Sequence, residues 1–120
     1  MLSLPSSVKI FFFAPATDMR KGFDGLSAIV RASGLNVFSG HLFVFVSRRG
    51  DRVKILSWER GGFVLWYKRL EKGRFRRPRI TADSVQVELE PDQLTLLLEG
   101  IDISRVERPE RWEPQNGSTR

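Results

Sequence analysis

Three closely spaced runs of strand-forming residues, at 42–46, 53–58 and 63–69, limit what this chain can fold into more than any other feature. Arg49-Gly50-Asp51 separates the first two and Arg60-Gly61-Gly62 the last two; short glycine-containing links of this kind join antiparallel neighbours. A three-strand meander is the natural reading. Side chains alternate along a strand, so Phe43 and Phe45 oppose Val44 and Val46, and Phe63 and Leu65 oppose Val64 and Trp66. Both faces of the sheet are apolar, and both need cover.

The flanking segments supply it. Residues 8–13 read as a first strand, closed by Ala14 and Pro15. Thr17 or Asp18 can cap a following helix over 22–33, where Phe23, Leu26, Ile29 and Val30 form one apolar stripe and Gly34 supplies a left-handed stop. Gly22 and Gly25 weaken its start. Leu94, Leu97 and Leu98, after Pro91 in the first turn, predict a short second helix ending at Gly100. Residues 85–89 alternate as a further edge strand. The expected fold is α+β: an antiparallel sheet with a central three-strand meander, an N-terminal amphipathic helix and a short C-terminal helix, without the strand–helix alternation of a parallel fold. Residues 1–102 make a single domain, and 103–120, rich in Arg, Glu and Pro, read as a polar, mobile tail.

Composition narrows the chemistry. A chain of 120 residues is about one domain, and 41% hydrophobic residues are too many for a disordered one. There is no Cys and one His, so a disulfide framework, a thiolate nucleophile and the usual zinc sites lack their ligands. Asp18, Asp24, Asp51, Asp83 and Asp102 could in principle gather round magnesium, but capping, turn formation and solvation account for each. His41, after Gly40 at a strand start, reads as a structural or surface histidine. No catalytic residue, metal or cofactor is expected. Arg49-Gly50-Asp51 and Asn116-Gly117-Ser118 spell adhesion and glycosylation motifs, yet turn chemistry and a polar tail explain them. With no long apolar run and no secretory-signal pattern, the expectation is a cytoplasmic protein with no membrane partner.

Charge is distributed unevenly along the chain. Residues 1–47 carry +2, residues 48–79 carry +9 and residues 80–120 carry −5, within a net charge of +6. The middle third therefore predicts an anion-binding surface. Its densest part, 66–79, holds seven cations and three aromatics in fourteen residues. Lys and Arg gain affinity by releasing counterions from phosphates, and Arg can grip a phosphate through two parallel hydrogen bonds. Gly73 lets the backbone turn and Pro78 disfavours helix at Arg77, so 74–79 reads as an extended arm. Lys68, Arg69, Lys72, Arg74, Arg76, Arg77 and Arg79 are the candidate nucleic-acid contacts, with Phe75 available to stack on an unpaired base. Trp66 reads as core, because it lies inside an apolar strand.

The same residues carry a resemblance. Asp18-Met19-Arg20-Lys21-Gly22, the run from Phe38 to Phe45, the run from Asp51 to Leu56, and the run from Gly62 to Phe75 occur as separated blocks in order. Together with Leu98-Glu99-Gly100-Ile101-Asp102, they strongly resemble the accessory protein (second open reading frame, TnpB-type) of the sixty-six family of bacterial insertion sequences. The resemblance spans about 8–102, with Ser57 standing where an aromatic is commoner and Gly61 where an acidic residue is common. It implies a role in DNA transposition beside a separately encoded transposase, not an enzyme that cuts DNA by itself. Two partners follow as expectations: DNA held by the basic segment, or the element's transposase docked on the same strip.

Overall fold

The computed structural model describes residues 5–81 and 83–100, with the backbone of 115–116 and 118–119. Ile10–Phe13 (β1) leads through the helix Phe23–Ala32 (α1) into Leu42–Val46 (β2), Arg52–Glu59 (β3) and Gly62–Arg69 (β4); Gln86–Leu89 (β5) and the helix Pro91–Glu99 (α2) follow. The fold is α+β, with two helices on a five-stranded mixed sheet in the order β4-β3-β2-β1-β5. A two-residue pair of Gln115–Asn116 (β6) with Ser118–Thr119 (β7) stands as a separate sheet. The rest of 103–120, expected as a mobile tail, lies outside the described residues.

The meander is present: β2 pairs antiparallel with β3, and β3 with β4 over the full length of both strands. The all-antiparallel expectation is corrected at β1, which runs parallel to β2 with Ile10 opposite Leu42 and Phe12 opposite Val44. The cause is the connection, since a helix between two strands carries the chain back to the same end of the sheet. On its other side β1 pairs antiparallel with β5, so the predicted edge strand is at an edge, but next to β1.

The two faces fill as the alternation requires. Ile10, Phe12, Val44, Val46, Val53 and Ile55 pack with the α2 leucines Leu94, Leu97 and Leu98 in one core. Phe13, Phe43, Phe45 and Leu56 pack with Leu26 and Val30 of α1 in the other.

Helix ends follow local chemistry. The cap expected at Thr17 or Asp18 is not used: α1 starts after Gly22 with no side-chain cap, while Thr17 N–H donates to the Val46 carbonyl at 3.0 Å and is buried. Gly34 at φ +89° closes α1 as predicted. Pro91 opens α2 behind a reciprocal Glu90–Gln93 capping box, and Gly100 ends it. A Cβ on Gly100 would stand 2.8 Å from Leu70 Cδ1 and 3.1 Å from the Arg74 carbonyl oxygen, so the segment after β4 passes directly under the end of α2. Among the described residues no helix is long and apolar enough to cross a membrane.

Candidate nucleic-acid interface

The segment after β4 is ordered by backbone bonds to the β2–β3 turn. Leu70 N–H donates to the Asp51 carbonyl and Phe75 N–H to the Gly50 carbonyl, both at 2.8 Å. Arg76 N–H reaches the Leu97 carbonyl at 3.4 Å, so the arm is pinned between the turn and α2. Gly50, at φ +81°, supplies the left-handed backbone that this turn requires, and the Arg74 side chain packs over it.

Phe75, the sequence candidate for base stacking, is 4% exposed and belongs to the α2-side core. Its ring is not open to a base, because an extended segment crossing a sheet end buries one side chain while its neighbours turn outward. Arg74 and Arg76 are exposed on either side of it, as are Lys72 and Arg79. Three of the other predicted contacts bond within the chain. Lys68 Nζ donates to the Leu98 carbonyl at 3.1 Å, satisfying an orphan acceptor at the end of α2. Arg69 pairs with Glu71 at 3.1 Å on the surface. Arg77 Nη2 donates to the Ser47 carbonyl, and its partial burial, helped by the Arg74 charge, holds its guanidinium below the usual arginine range. Trp66 is half-buried against the α2-side core, and Tyr67 is exposed.

The fold adds cations that the sequence reading did not single out. Where β1 and β2 end side by side, the loop 17–20 meets the turn 47–52 around a concavity of about 390 Å³. Arg20, Arg48, Arg49 and Arg52 line it, with Asp18 and Asp51. Arg48 and Arg49 had a signal in the +9 charge of the middle third; Arg20 stood in the 18–22 block but had no charge signal, because only the parallel β1–β2 pairing carries residue 20 to that turn.

The loop itself is held from below. Lys54, on β3 and 8% exposed, donates from Nζ to the Met19 and Lys21 carbonyls, each at 2.8 Å, and its ammonium lies 4.9 Å from the centre of the Tyr67 ring. Above that anchor, Asp18 accepts from Arg20 N–H at 2.9 Å and from its guanidinium at 2.7–3.1 Å. The guanidinium and backbone bonds from Arg20 hold the Asp18 carboxyl well below the usual carboxylate range, and the pairing raises Arg20. Among the described residues no three His, Cys, Asp or Glu side chains group as metal ligands; Asp102 lies outside those residues.

The fold and this end define a small α+β domain with an arginine-rich sheet end. The family model described as IS66 Orf2 like protein matches residues 8–108, and the chain belongs to that family. Membership connects it to the second open reading frame of an insertion sequence and so to transposition. Two relatives come from Sinorhizobium fredii (strain NBRC 101917 / NGR234). The chain is 36% identical to "Uncharacterized protein y4hO" over 95% of this chain and 96% of that one. It is 31% identical to "Uncharacterized protein y4jC" over 90% of this chain and 92% of that one. No solved structure matches.

Proposed function

We propose that the chain is a noncatalytic accessory protein of transposition that associates with DNA through the cationic end of its sheet, Lys72, Arg74, Arg76 and Arg79 being the arm's phosphate contacts. The observation that carries this reading is the burial of Phe75 between two exposed arginines. An arm anchored in this way holds the backbone that carries these cations, so less backbone freedom is lost on meeting a phosphate backbone. Lys68 and Arg77 brace the arm through their carbonyl bonds, and Arg69 remains near the surface with an exposed, weak ion pair. Titration of labelled duplex DNA across a salt series tests the reading. Changing Arg74, Arg76 and Arg79 to Gln should lower the slope of log affinity against log salt by up to about 2.7, at about 0.9 per lost contact, with the melting temperature little changed. An unchanged slope in a folded variant would reject the arm as a DNA site.

A second reading has its own observation. Between the arm and α2 lies a groove of about 190 Å³, lined by Arg76, Arg77, Pro78, Leu89, Leu96 and Leu97, in which Leu96 is 48% exposed. An apolar groove with two arginines at its rim suits an acidic segment bearing an apolar anchor, which the element's separate transposase would supply. Leu96→Ser should then abolish capture of the purified transposase and leave the DNA salt slope intact. Capture that survives the change removes this groove as the docking site.

A further inference from the structure

The concavity on the α1 side of the sheet end is not part of the arm. The arm packs through Phe75 into the α2-side core, whereas the loop 17–20 leads into α1 and stands over Lys54. We propose that this concavity is a second phosphodiester site, in which Arg48, Arg49 and Arg52 hold backbone phosphates and Asp18 occupies Arg20 in the place a phosphate would take. The proposal rests on the DNA-binding reading above and extends it to the other side of the turn.

Three features support it. Arg48, Arg49 and Arg52 are exposed, and among the described residues none of the three side chains has a salt-bridge partner. Asp51, the second carboxylate of the lining, accepts from Ser47 Oγ at 3.3 Å. Arg20 meets Asp18 through Nε and Nη2 on both carboxylate oxygens, the fork geometry with which arginine also binds phosphate. The Arg20 side chain is 91% exposed, so its pairing with Asp18 is a surface ion pair, the kind that is weak and screened by salt. A polyanion that brings several phosphates at once can displace a single carboxylate from such a pair. The ligand class is the nucleic-acid backbone, because four guanidinia spread over two loops match a row of phosphates better than one small anion.

Asp18→Asn is the sharpest test. The amide oxygen can still accept from Arg20 N–H, so the loop turn is kept while the competing charge is lost. Duplex DNA should bind this variant more tightly, and the salt slope should steepen by up to about 0.9 as Arg20 becomes one more contact. Glu59→Gln, at the opposite end of the sheet, makes the same change in net charge and should leave the slope alone. Changing Arg48, Arg49 and Arg52 together to Gln should flatten the slope by up to about 2.7, and the corresponding triple Lys variant should retain most of it. An NMR titration should show the Arg20 Nε–H resonance moving with DNA in Asp18→Asn and moving less in the wild type, where Asp18 competes for it. If the arm variant flattens the slope while the turn variant and Asp18→Asn do not, this site is overturned and the arm reading stands. If the wild type binds no DNA, both fall.

Discussion

The two ends of the sheet are built from different chemistry. At the end where β2 stops and β3 begins, Arg20, Arg48, Arg49, Arg52 and Arg74 surround a turn held by backbone bonds. At the other end Phe38, Trp58 and Phe63 contact one another, with ring centroids 4.9–5.7 Å apart, and Phe38 is 51% exposed. His41 Nδ1 there accepts from Lys9 N–H at 3.0 Å while the ring meets Phe11 edge-on, a structural role. Packed rings stabilise a fold, whereas clustered guanidinia repel one another and gain only when an anion arrives. Labour is divided between the ends: one closes the sheet and the other presents charge.

The largest expected effect crosses that division. Phe75→Ala removes a core side chain from within the charged arm and should cost about 3–5 kcal/mol of stability in a denaturant titration, with DNA binding falling as well. Trp58→Ala, at the aromatic end and only half-buried, should cost less, about 2 kcal/mol, and leave the salt slope untouched. A slope that moves with Trp58→Ala would break the division. Lys54→Met comes next: two part-buried carbonyls lose their charged donor, at about 1–3 kcal/mol, and amide exchange should rise in the loop 18–22 without a matching rise in the arm.

The Asp18–Arg20 pair gives a pH test with no stability figure attached. Because the folded carboxyl is held below its unfolded value, the pair's contribution is present above the ordinary carboxylate range and is lost as pH falls through the lower folded value. Asp18 should therefore titrate by NMR well below that range in the wild type, and return toward it in Arg20→Gln. An unaltered Asp18 titration in that variant would show that the guanidinium is not its main partner.

Much of this was legible in the chain. Alternation in 42–46 marked a strand buried on both faces, and Pro91 with Gly100 bracketed α2, because those signals depend on neighbours in sequence. The strand at 63–69 was legible too, but at the sheet edge none of its residues is buried and Val64 is 45% exposed, so the cover expected on both its faces is not found. The parallel β1–β2 pairing was not legible, since the same apolar run serves either direction and only the α1 connection decides it. Phe75 was misread for a related reason: flanking arginines suggest a surface, while its burial depends on Gly50 and Leu97 far along the chain. The concavity at Arg20 and Arg48 needed that parallel pairing before it could exist at all.

The smallest effect concerns the aromatic end's turn. Glu59 pairs with Gly62, leaving Arg60 and Gly61 as a two-residue link with φ of 51° and 83°. Two left-handed residues in succession define the type I′ hairpin turn, whose twist matches the flanking strands and whose favoured first residue is Asn. Arg60 is the only non-glycine residue with positive φ among the described residues, and its Cβ crowds the following carbonyl there at a cost of about 1–2 kcal/mol. Asn tolerates that conformation better because its short side chain bonds locally, so Arg60→Asn should raise stability by about 0.5–1 kcal/mol. The change also removes a positive charge, which makes it a direct probe of the division between the ends. If the aromatic end only closes the sheet, the melting temperature should rise while the DNA salt slope stays at its wild-type value. A slope that flattened by about 0.9 would place Arg60 on the nucleic acid and extend the interface along the whole sheet.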